Sequence, residues 1–126
     1  MIAILVERVT SYFGHSATLR ERAVDPALKP FHCPLERADA VCRAVDLIRG
    51  QPHWHVVGFD SVHGSIHAVH VSLIWRFVDD VKLHFDRADQ GCVVNAQSKS
   101  RFTFLTLGRN TRNLRAIGKL LRAQLR

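Results

Sequence analysis

The sequence predicts an α+β domain, a two-layer sandwich in which helices cover mainly one face of a four-stranded antiparallel sheet. Three observations lead there. Apolar residues fall at helical spacing before Gly14 and again from Pro34 to Gly50, alternate with polar residues from His55 to Arg101, and return to helical spacing from about Asn110 to the end. Short connections between the strands favour antiparallel pairing, and helices kept apart from strands favour α+β over a parallel sheet. The 126 residues, 47% of them hydrophobic, suit a single domain with one core over residues 1–126.

Taken in order, the elements follow from side-chain spacing. Ile2, Leu5, Val6, Val9 and Phe13 share one helical face that Gly14 closes, which predicts an amphipathic N-terminal helix over residues 1–14. Residues 15–33 lack periodicity and contain Pro26 and Pro30, so they are expected to form an irregular connection. Pro34 suits a first helical turn, Glu36 and Asp39 complement its positive end, and Gly50 ends the helix. Its expected buried stripe is Leu35, Ala38, Val41, Cys42, Val45 and Ile48.

Alternation then predicts a strand over His55 to Phe59, a turn over Asp60 to Gly64, and a long strand from Ser65 to Phe77. Val81, Leu83 and Phe85 alternate with charged residues in a third strand. A fourth spans residues 92–101, with Cys92, Val94, Ala96, Ser98 and Ser100 on the face expected to lie under the helices. The last helix carries Leu114, Ile117, Leu121 and Leu125 as its apolar stripe. Arg112, Arg115, Lys119, Arg122 and Arg126 fall on its opposite side. The resulting order is α-α-β-β-β-β-α.

Charge is distributed unevenly along this scaffold. Between Gln90 and Arg126 there are eight basic residues and no acidic one, whereas residues 1–89 hold 10 basic and 11 acidic residues. An anionic partner is therefore expected at the C-terminal end. The composition excludes intrinsic disorder, and the chain has no run of about 18 apolar residues that would span a membrane. Cys33, Cys42 and Cys92 make neither a disulfide framework nor a C-x-x-C pair, so a reducing cytoplasm is the expected compartment. The N-terminal apolar run stops at Glu7 and Arg8, too early for a good secretory signal.

One combination of residues is distinctive. Phe77-Val78-Asp79-Asp80-Val81 is followed by Ser98-x-Ser100-Arg101 and then by Leu107-Gly108-x-Asn110-x-Arg112. Over roughly residues 30–122 this resembles a mainly bacterial family of unknown function catalogued under the number fourteen ninety-nine. Its pattern runs F-x-D-D-V on one strand, then S-x-S-R-x-G-x-x-D-L-G-x-N-x-R-R into the last helix. The chain departs from that pattern at Thr103 for glycine and Thr106 for aspartate, and Gln97 stands where an arginine commonly precedes the serine motif. The resemblance implies no reaction.

The motif permits a small anion site. Ser98, Ser100 and Asn110 would bring polar groups to the start of the last helix, where Arg101, Arg109 or Arg112 adds positive charge. The same residues also permit a structural reading, in which Asn110 or Thr111 caps the helix and the arginines, Arg101 foremost, pair with Asp79 and Asp80 in or beside a turn between strands. Adjacent carboxylates on a strand face opposite ways, which argues against an acid–base dyad. We expect a non-enzymatic domain with no cofactor, binding a small anionic ligand or an acidic partner. The enzymatic alternative is a hydrolase using Ser98 or Ser100 with His70 and Asp79, although no G-x-S-x-G elbow is present. Nucleic acid and an acidic membrane surface are further alternatives through the basic last helix, but no aromatic residue is interleaved with its charges.

The eight histidines show no zinc-type spacing, so no metal is expected. Cys42 and Cys92 are expected to be inert core thiols. The strand over residues 65–77 is apolar on both faces, with Ile66, Ala68 and Ile74 opposite the row from Val69 to Phe77, and this predicts a homodimer.

Overall fold

A computed structural model describes residues 16–18, 30–72, 77–100 and 107–125. The elements are β1 (Ser16–Thr18), β2 (Phe31–Cys33), α1 (Arg37–Arg49), β3 (Trp54–Asp60), β4 (Ser65–Val71), β5 (Val78–Ala88), β6 (Gly91–Ser100) and α2 (Leu107–Gln124). Every strand pair is antiparallel, and the sheet runs β3-β4-β5-β6. Its fifth position, outside β6, is shared by β1 against Gln97–Lys99 and β2 against Cys92–Val94. This is the expected α+β architecture, two helices on an antiparallel sheet, with one more strand position than the sequence predicts.

Alternation makes the core one-sided. On β5, Asp79, Val81, Leu83 and Phe85 are buried on the helix face, and on β6 so are Cys92, Val94, Ala96, Ser98 and Ser100. From α1 they meet Ala40, Val41, Ala44, Val45 and Ile48, and from α2 Leu114, Ile117 and Leu121, with Leu125 just beyond its end. Fully burying one aliphatic or aromatic side chain of this kind is worth roughly 1.5–3 kcal/mol, so the helices are held chiefly by their apolar stripes. A bond from the Arg43 Nε–H to the Gln124 carbonyl at 3.1 Å also ties the two helices together.

Four expectations need correction. The stretch over residues 15–33 contains two short strands, β1 and β2, because β6 offers them a free edge that local periodicity does not reveal. The long strand expected over residues 65–77 ends at Val71, and the Ser72 N–H donates to the Phe77 carbonyl at 2.8 Å across a reversal. Asp79 and Asp80 consequently lie inside β5 rather than in a turn. Cys42 is exposed, since the buried stripe of α1 runs through Ala40, Val41, Ala44 and Val45 and turns Cys42 outward. The predicted helix over residues 1–14 lies outside the described residues.

Two glycines permit close approaches. Gly64 (φ 75°) closes the turn after β3, where the Asp60 carboxylate accepts from the Val62 N–H at 3.0 Å and the His63 N–H at 3.1 Å. Gly91 (φ 100°) lies under the end of β2, where a Cβ would stand 2.0 Å from the Cys33 carbonyl oxygen.

Candidate functional site

The motif residues meet where α2 begins, and strand register decides which ones. Asp79 on β5 is paired with Ser100 on β6, and Val81 with Ser98, so Asp79 and both serines face α2. The first turns of α2 supply Arg109, Asn110 and Asn113. Arg109 donates through Nε to Asp79 Oδ2 at 2.7 Å and through Nη2 to Asp79 Oδ1 at 2.8 Å, a two-point clamp. The same Nη2 donates to Ser100 Oγ at 2.5 Å, and Asn113 Nδ2 donates to Asp79 Oδ2 at 2.9 Å. Ser98 Oγ donates to Asn110 Oδ1 at 2.7 Å.

The electrostatics explain why these partners are needed. The Asp79 side chain is 0% exposed and that of Arg109 only 14%, so the carboxylate depends on its guanidinium and amide donors to be tolerated in the core. The Arg109 guanidinium also lies 4.8 Å from the Phe77 ring centroid, which covers it with an apolar surface. The result is an internal anion held by side chains of the first turns of α2.

His70 adjoins this cluster. It is paired with Asp79 across β4 and β5 and packs edge-on against Trp54 at 5.0 Å. Burial holds its pKa below the ordinary histidine value, with the nearby Asp79 charge pulling the other way. Its Nδ1 is buried and has no hydrogen-bond partner among the described residues.

Strand order also sets the spacing of His70, Asp79 and the two serines. The row across the sheet reads His70, Asp79, Ser100, which puts the carboxylate between the imidazole and the hydroxyl. Two strand spacings of about 4.8 Å separate the outer members, beyond reach of a proton transfer. Ser98 donates to an amide oxygen, which is no base, and Ser100 receives from a cation. Neither hydroxyl is activated by these contacts.

The remaining sequence-predicted residues are dispersed. Asp80 faces away from the helices and lies 2.8 Å from His67 Nε2, in a hollow of about 360 Å³ lined also by Lys82, Gln97 and Lys99. The two aspartates therefore form no dyad. Arg101 lies outside the described residues. Arg112 is exposed on α2, one turn beyond Arg109, and its charge acts on His70. Arg109 is one of the three arginines the sequence offers as charge at the helix start or as partners of the aspartates, whereas Asn113, which also donates to Asp79, has no role in the sequence reading. Its spacing of i+4 from Arg109 puts the two on one helical face, the signal by which Asn113 could have been found.

Among the described residues no group of three or more histidine, cysteine, aspartate or glutamate side chains is placed to hold a metal ion, and no helix is long and apolar enough to cross a membrane. The model of a family described as "Protein of unknown function (DUF1499)" matches residues 8–121. No curated protein matches the chain.

Proposed function

The chain belongs to that family, and on this footing we propose that it is a non-enzymatic binding domain whose partner is an acidic protein surface. The reading rests on one observation. With Asp79 engaging Arg109 internally, the outward side of α2 carries an extended cationic row, with Arg112 and Lys119 exposed and Arg115 and Arg122 half-buried beside them. At 1.5 Å per residue the exposed Arg112 and Lys119 stand about 10 Å apart along the axis, which matches a run of carboxylates better than a single small anion. A small anion at the helix start would also have to compete with the Asp79 carboxylate.

The test is a titration of the protein with a glutamate-rich polypeptide, with duplex DNA and with anionic vesicles as parallel arms. Saturable binding of the polypeptide is expected, weakened at least tenfold by the double change Arg112→Glu and Lys119→Glu. Tighter binding of DNA, with a steep salt dependence, would replace this reading by the nucleic-acid one. Preferential binding to vesicles would replace it by the membrane one.

Assembly as a homodimer has a different support from the one the sequence suggested. Ile66 and Ala68 are buried beneath the helices, whereas Val57 (59% exposed), Phe59 (47%) and Val62 (67%) remain open on β3 and the turn after it. β3 is the last strand on its side of the sheet among the described residues. Apolar side chains on an edge strand suit pairing with a second copy of the chain. Solution scattering at micromolar concentration should give twice the mass of one chain, and a single-chain mass would refute the dimer.

A further inference from the structure

Cys33 and Cys92 are register partners across β2 and β6, and both are buried. Directly opposed residues in an antiparallel pair have Cα atoms about 4.5 or 5.5 Å apart, inside the roughly 4.4–6.8 Å window that a disulfide spans. Their side chains share the helix face of the sheet, and the two thiols are hydrogen-bonded to one another. Cys42, by contrast, is exposed on α1.

We propose that Cys33 and Cys92 form a cross-strand disulfide site, oxidised by a small-molecule disulfide of the glutathione type and closing to staple β2 onto β6. The exchange has two steps. The Cys33 thiol loses its proton, and its sulfur attacks one sulfur of oxidised glutathione, breaking that S–S bond and expelling a glutathione thiolate that takes up the proton. Cys92 then loses its proton, its sulfur attacks Cys33 Sγ in the mixed disulfide, and the second glutathione leaves as its thiol. Two protein thiols are oxidised, and one external disulfide is reduced to two thiols.

The fold sets the route by which this happens. The Cys92 thiol is pushed up to about 12 by burial, and next by the Cys33 thiol beside it, so Cys92 in the packed sheet holds almost no thiolate at neutral pH. β2 is only three residues long and lies at the edge of the sheet, so its release requires few contacts to break. Oxidation therefore proceeds during folding, or through detachment of β2, and the re-formed sheet then encloses the bond.

The experiment refolds the full chain from denaturant in a buffer of oxidised and reduced glutathione, quenches with acid, and counts free thiols in denatured, non-reduced protein. One free thiol per chain is expected, or none where Cys42 carries glutathione, against three in a sample kept reduced. Peptide mapping should find Cys33 joined to Cys92 with a mass loss of 2 Da, and Cys42 free or carrying glutathione that mild reduction removes. The oxidised protein should also unfold at higher denaturant concentration than the reduced one. Three free thiols after oxidative refolding, or a bond involving Cys42 in place of the Cys33–Cys92 bond, would overturn the proposal.

Discussion

Removing Arg109 should cost more than removing any other arginine of α2, because it alone among them donates to the Asp79 carboxylate in the described structure. Arg109→Ala leaves Asp79 buried with the Asn113 amide as its one side-chain donor among the described residues, and loss of one partner from a buried pair costs roughly 3–5 kcal/mol. Denaturant titration should show a fall of that order, whereas Arg112→Ala, at an exposed position, should change stability by under about 0.5 kcal/mol. His70 adds a pH dependence of definite sign. Its folded pKa is depressed, so the folded state binds this proton less readily than the unfolded state does. The stabilisation from neutral His70 is complete above the ordinary histidine value of about 6.5 and is lost as pH falls from there through the folded value. The unfolding midpoint of the wild type should therefore drop from pH 7 to pH 5 by more than that of His70→Gln, and equal drops would exclude His70 as the cause.

At the scale of elements, β6 holds the fold together, with β5 along one edge and β1 and β2 along the other. Gly91 is where this arrangement is tightest. Gly91→Ala would require a positive φ of an alanine and force its Cβ against the Cys33 carbonyl and Pro34. We expect β2 to detach, with backbone amides of residues 31–33 and 92–94 losing hydrogen-exchange protection while β3 and β4 keep theirs. Uniform loss across the sheet would show instead that β2 is not a separable unit. The elements also show what spacing alone can reveal. Alternation from Cys92 to Ser100 was enough to place both serines under the helices, and the period of α2 was enough to separate Leu114, Ile117 and Leu121 from Arg112 and Lys119. It was not enough to divide β4 from β5, since residues 72–77 contain no glycine, proline or asparagine to mark a reversal. Nor could it find β1 and β2, whose three-residue lengths are stabilised by pairing with β6 rather than by any local pattern.

For the molecule as a whole, the basic C-terminal third divides into an inner and an outer set of charges. The uneven charge was visible in the sequence, but its division was not, because helix phase and strand register together decide which arginine reaches Asp79. Arg101, Arg109 and Arg112 all lie within a few residues of the start of α2, and in the described structure Arg109 holds Asp79 while Arg112 faces outward. The inner set fastens α2 to the sheet, and in the outer set Arg112 and Lys119 are exposed. The most direct measurement of this division is the binding isotherm of a glutamate-rich polypeptide for the variant carrying Arg112→Glu and Lys119→Glu, taken beside wild type under conditions where both are folded. The account predicts an unfolding midpoint close to that of wild type and binding weakened at least tenfold. Binding as tight as that of wild type, with the fold intact, would contradict it.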